Sequence, residues 1–153
     1  MKQRLSFFEK GQDASKALYG LGIYLAKSPV EQPLLNLIYF RVSQINGCAF
    51  CLDMHSKDLR AKGETEQRLY LLDAWRESPF YTDRERAALA WAEALTKLNG
   101  IAPDEIYEEA IKQFSETELI DLTVAIITIN SYNRINLAFP APAAVGTYKV
   151  GAY

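Results

Sequence analysis

The chain has 153 residues, 49% hydrophobic and 24% charged, with 17 basic against 19 acidic side chains and a net charge of -2. That is one domain's worth of chain, able to bury a core without staples, and its composition excludes intrinsic disorder. The slightly acidic balance excludes the basic footprint of a nucleic-acid binder, and no run of about eighteen uncharged apolar residues is present to cross a membrane.

The first residues, MKQRLSFFEKGQD, contain no apolar stretch of signal-peptide length, so a cytoplasmic chain is expected. From there the periodicity is helical throughout. Residues 13–27 carry Ala17, Leu18, Leu21 and Leu25 on one stripe, and Ser28-Pro29-Val30-Glu31 reads as a stop and a restart capped by Ser28. Residues 32–45 repeat the pattern with Leu34, Leu35, Ile38, Val42 and Ile45 until Asn46-Gly47 breaks it. A third helix runs from Cys48 to about Lys62 and ends at Gly63 after a basic last turn, and a fourth covers 65–75.

Thr82-Asp83-Arg84-Glu85 has the form of a capping box, and the helix it opens carries Ala87, Trp91, Ala94, Leu95 and Leu98 on one stripe as far as Asn99-Gly100. A short helix follows from Pro103-Asp104 to Phe114. Ser115-Glu116-Thr117-Glu118 is a second capping box, opening a long helix to Ala138. Within it residues 124–129 are β-branched enough for a strand, but the preceding cap and the lack of a partner strand make the segment a buried helix. Residues 140–153 read as an irregular tail, in which Tyr148 and Tyr153 are candidates to dock on a neighbouring subunit. The expected architecture is a single all-α domain over 1–153, a bundle of about six to seven helices.

The segment that carries chemistry is Cys48-Ala49-Phe50-Cys51-Leu52-Asp53-Met54-His55, which holds both cysteines and the one histidine of the chain. In a helix, positions 48, 51 and 55 share one narrow face. A thiol is nucleophilic as its thiolate, which a histidine one turn away and a helix N-terminus both favour, and a second sulfur can resolve an oxidised first one. Two inert, packed cysteines would not require this coincidence of three residues. A zinc site would lack a fourth ligand, and a c-type haem would need histidine where Leu52 stands. No metal or cofactor is expected.

From Arg41 through His55 the sequence closely resembles the core motif of the alkylhydroperoxidase D-like group within the carboxymuconolactone decarboxylase family, and the likeness extends over about residues 30–139. The resemblance implies an all-helical subunit that assembles as a homo-oligomer, a trimer or hexamer, and reduces peroxides at the expense of a thiol reductant. Carried over by position, Cys51 attacks the peroxide, Cys48 closes the disulfide and His55 relays the proton. Twelve residues before Cys48 the family places a glutamate that polarises the histidine; here that position is Asn36, which cannot accept a proton at neutral pH. Where some members add a histidine between the cysteines, this chain has Phe50.

Helix-terminus logic by itself would activate Cys48, whereas a base four residues on favours Cys51, and the second assignment is followed here. Glu31, Asp53 and Asp58 are near enough to be substitute relays. Trp75, Trp91, Tyr39, Phe40 and Phe50 read as core or subunit-interface residues. Besides a thiol peroxidase or disulfide oxidoreductase, the sequence allows a non-catalytic redox-sensing or binding subunit, and less readily a cofactor-free decarboxylase.

Overall fold

The computed structural model describes Lys2 and residues 4–151. The described chain is all-α, with eight α-helices, two short 3-10 turns and no strand among the described residues. The helices are α1 Phe7–Lys10, α2 Gln12–Leu25, α3 Gln32–Asn46, α4 Ala49–Ala61, α5 Glu66–Leu71, α6 Asp83–Thr96, α7 Asp104–Gln113 and α8 Glu116–Ala138. The helix beyond the expected seven is the four-residue α1, too short to show in periodicity. No helix among the described residues is long and apolar enough to cross a membrane.

Helix α3 lies at the centre, packed against α4, α6 and α8, while α2 covers α8 and α7 covers α6. Its Leu35, Leu37, Ile38 and Val42 are buried all round, as a helix surrounded by three others requires. Both capping boxes form: Thr82 accepts from the Glu85 amide at 3.2 Å and Ser115 from the Glu118 amide at 3.3 Å, and each glutamate returns a bond to the cap amide. The β-branched run in α8 is helical, with Ala125, Ile126, Thr128 and Ile129 buried and Ile127 exposed. Burial against α3, α2 and α6 outweighs a strand propensity that has no partner strand to satisfy it.

Several boundaries shift for local reasons. Glu31, not Ser28, caps α3; the Ser28 hydroxyl instead accepts from the Val30 amide at 3.1 Å and donates to the buried Asp121 at 2.6 Å. Helix α5 ends at Leu71, and a 3-10 turn over Leu72–Ala74 tightens the chain so that Trp75 enters the core. Helix α6 stops at Thr96, which leaves Leu98 outside the stripe and half exposed. Among its described residues the tail contains a single 3-10 turn, at Pro142–Ala144, and then returns to α4.

Candidate active site

The turn between α3 and α4 sets the site. Gly47 takes the left-handed conformation at φ 69°, its amide bonding the Gln44 carbonyl, and the Cys48 amide bonds back to the Ser43 carbonyl at 3.1 Å. This doubly bonded terminator needs a residue without a Cβ penalty, which is the physical content of the Asn46-Gly47 break. Cys48 then caps α4 in extended geometry, with no side-chain bond to the first-turn amides, so the positive end of α4 opens beside the sulfurs.

The turn is also tied to α8 by polar side chains. Asn46 Nδ2 donates to Asn130 Oδ1 and Asn133 Oδ1, both at 2.9 Å, and Asn133 Nδ2 donates to Ser43 Oγ at 3.1 Å. Ser43 in turn donates to the Tyr39 carbonyl at 2.7 Å. These amides fix the end of α3 against α8 and with it the position of Cys48.

Cys48 and Cys51 are joined as a disulfide with their Cα atoms 5.4 Å apart, and both are 1% exposed. From α8, Asn136 Nδ2 donates to Cys51 Sγ at 3.4 Å. One turn beyond Cys51 on α4, His55 is buried, with its ring 5.5 Å from that of Tyr39. Burial pulls the His55 pKa down to about 4, helped by the positive charge of Lys62, so the imidazole is neutral near pH 7. Burial also pushes the Tyr39 phenol up to about 12.

Two atoms here lack what buried polar atoms ordinarily have. His55 Nε2 and Asn36 Nδ2 are buried with no hydrogen-bond partner among the described residues. Asn36 precedes Tyr39 by one turn on α3, and Tyr39 packs on His55, so the position expected to polarise the histidine lies on the same face as its aromatic neighbour.

The substitute relays are engaged elsewhere. Glu31 binds Arg84 in an ion pair at 3.0 Å. Asp53 pairs with Lys57 and accepts from the Gly146 amide at 3.0 Å, and Asp58 accepts from the Tyr148 hydroxyl at 2.8 Å. Tyr148 therefore docks on α4 of its own chain, while Tyr153 lies outside the described residues. Trp75, Trp91 and Phe40 are core residues, and Tyr39 and Phe50 are half-buried.

Two features escaped the sequence reading. Asn136 follows Asn130 and Asn133 at intervals of three, a spacing that places three amides along one side of α8 and was the available signal. The second is a buried ion cluster in which Glu93 receives Arg41 Nε at 2.9 Å, Arg41 Nη2 at 2.7 Å, Trp75 Nε1 at 2.9 Å and Arg76 Nη1 at 2.6 Å.

A model of the carboxymuconolactone decarboxylase family matches residues 12–94, which include the whole Cys48–His55 segment. The uncharacterized protein YdfG of Bacillus subtilis is 42% identical over 145 residues, 94% of this chain and 99% of its own. A crystal structure of an Agrobacterium tumefaciens protein of unknown function, provisionally designated antioxidant defence protein AhpD, superposes with a TM-score of 0.87 at 43% identity. That match covers 92% of this chain and 97% of the other. The debrominase Bmp8 in its apo form superposes with a TM-score of 0.78 at 25% identity, over 91% of this chain and 76% of Bmp8.

Proposed function

This chain belongs to the carboxymuconolactone decarboxylase family, and we propose that within it the protein is a thiol-dependent peroxidase or disulfide oxidoreductase cycling Cys48 and Cys51. The observation that carries this reading is the Cys48–Cys51 disulfide one helical turn from a buried, neutral His55. Support also comes from the AhpD-designated relative of unknown function, while the debrominase indicates that the scaffold serves more than one substrate.

In the proposed cycle the Cys51 thiolate attacks one peroxide oxygen and the O–O bond breaks. The alkoxide or hydroxide that leaves takes up a proton, and Cys51 becomes a sulfenic acid. The Cys48 thiol attacks that sulfur, water departs, and the disulfide closes. An external thiol reductant reopens the bond by exchange, taking the disulfide onto itself. His55 is the proton relay in this reading. With its basicity lowered by burial and Asn36 in place of a carboxylate, it holds little of the Cys51 proton at rest, so turnover is slow. The same proposal includes assembly as a trimer or hexamer, for which the exposed Tyr19 and Ile23 on α2 and Ile120 and Ile127 on α8 offer apolar surface.

A redox-sensing subunit without turnover is the second reading, favoured by the missing carboxylate at Asn36. Decarboxylation has no use for paired sulfurs. Peroxide consumption by single-cysteine variants tests the peroxidase reading: Cys51→Ser should abolish it, and Cys48→Ser should leave one turnover that stalls at the sulfenic acid. Full turnover by both variants would refute the assignment.

A further inference from the structure

We propose that Asn136 is a positioning residue that selects Cys51, rather than Cys48, as the sulfur to carry the thiolate. This rests on the reading above that Cys51 is the attacking sulfur. The observation is the contact from Asn136 Nδ2 to Cys51 Sγ at 3.4 Å, made from α8 across to the start of α4. A disulfide sulfur carries no proton, so the amide can face it only with its NH2 end.

The energetic consequence lies in the reduced protein. A disulfide sulfur is a weak acceptor and gains little from the contact, whereas a thiolate is an anionic acceptor that gains a charge-assisted bond. A donor that binds one protonation state more strongly shifts the equilibrium toward that state. Asn136 therefore lowers the Cys51 thiol pKa and favours the open dithiol over the disulfide. The helix terminus by itself favours Cys48, which caps α4, and the amide, which contacts Cys51, supplies the opposing preference.

Contacts made by the residues that follow Asn136 hold the end of α8 in place. Just after it, the Ala138 carbonyl accepts from Arg4 at 3.0 Å, and Phe139 stacks on Phe7 with ring centroids 6.4 Å apart. Beyond the 3-10 turn the tail returns to α4, where the Gly146 amide bonds Asp53 and Lys57 Nζ donates to the carbonyls of Gly146 and Tyr148, each at 3.2 Å. The segment that carries Asn136 is thus pinned to the helix that carries Cys51.

The other titratable groups around Cys51 leave room for this effect. On α4, His55 is neutral and Asp53 is paired with Lys57, with Asp58 bonded to Tyr148 and Lys62 at the C-terminus. On α3, Tyr39 keeps its proton. On α8, Tyr132 is pushed up by burial and Arg134 is bonded to Asn130.

The test uses the reduced full chain and no peroxide. Dithiothreitol opens the Cys48–Cys51 bond by exchange and closes to its own cyclic disulfide, leaving two thiols, of which Cys51 releases its proton to solvent. After the reductant is removed under nitrogen, the rate of iodoacetamide alkylation at each cysteine is followed against pH by peptide mass spectrometry. In wild type the Cys51 midpoint should lie below that of Cys48. Asn136→Leu, which removes the donor, should raise the Cys51 midpoint by about one to two pH units. Asn136→Asp keeps the shape but sets a carboxylate beside the thiolate, and should raise it further. A purely structural role would not grade the two variants in that order.

Should either variant fold poorly, the wild-type side-chain amide of Asn136 provides the readout, because its ¹⁵N and ¹H resonances should titrate with the Cys51 midpoint. A Cys51 midpoint that stays put in both variants, or an amide resonance indifferent to Cys51, overturns the inference. A wild-type Cys48 midpoint below that of Cys51 would instead overturn the assignment of the attacking sulfur on which it rests.

Discussion

Two buried polar clusters lie against α3, one around Glu93 and one around His55, and the chain treats them in opposite ways. Burial alone would push the Glu93 carboxyl up, but hydrogen bonds from Trp75, Arg76 and Arg41 overcome it and hold the carboxyl below its usual range. The Arg76 guanidinium also lies over the Trp75 ring, 4.2 Å from its centroid. Around His55 no such compensation exists: burial wins, the imidazole loses its proton, and Nε2 and the Asn36 amide nitrogen face no partner among the described residues. The buried charge of Glu93 is surrounded by donors, whereas the polar atoms His55 Nε2 and Asn36 Nδ2 are not, and unsatisfied buried polar atoms of this kind are what the proposed catalytic role draws on.

The largest effect should come from breaking the satisfied cluster. Glu93→Ala leaves the buried Arg41 guanidinium without its main counter-charge, and removing one partner of a buried pair costs about 3–5 kcal/mol. Urea denaturation should show this loss in the midpoint without a change of slope. A loss below about 1 kcal/mol would mean that Arg41 turns to Asp73, its other ion partner, at no expense.

Acid stability should sharpen the contrast from the other side. The His55 pKa falls from 6.5 to about 4 on folding, so below pH 6.5 the unfolded chain binds a proton that the folded chain refuses. Stability from this group is therefore complete above pH 6.5 and is lost as pH falls toward about 4. The full contribution is on the order of 3 kcal/mol. Denaturation between pH 7.5 and 5 should show this slope in wild type and lose most of it in His55→Phe.

Filling the open position should change rate more than stability. Asn36→Glu offers the imidazole a carboxylate that raises its basicity, and a well-placed general base contributes about 10²-fold or more. Stopped-flow thiol oxidation should be faster in this variant across neutral pH. Equal rates at every pH would mean that proton transfer does not limit the reaction.

Much of the fold was legible because its signals are local. The two capping boxes, the Asn46-Gly47 break and the apolar stripes of α2 and α3 each depend on residues within a few positions of one another. The sulfurs and His55 were legible for the same reason, lying within eight residues, with Cys48 capping α4 and Cys51 and His55 on it. What escaped depends on contacts between distant positions: Asn136 meets Cys51 across 85 residues, and Arg41 meets Glu93 across 52. Single-residue effects escaped as well. Ser28 looks like a cap from its neighbours, but its hydroxyl is drawn to Asp121 on α8.

The most direct test of the central claim is the fate of the two sulfurs under peroxide. Reduced wild-type protein should lose two free thiols per peroxide consumed, and the peptide containing Cys48 and Cys51 should lose two hydrogens in mass while remaining a single peptide. Thiols that persist through the pulse, or that end as sulfinic acid or as cross-links between chains, would contradict it.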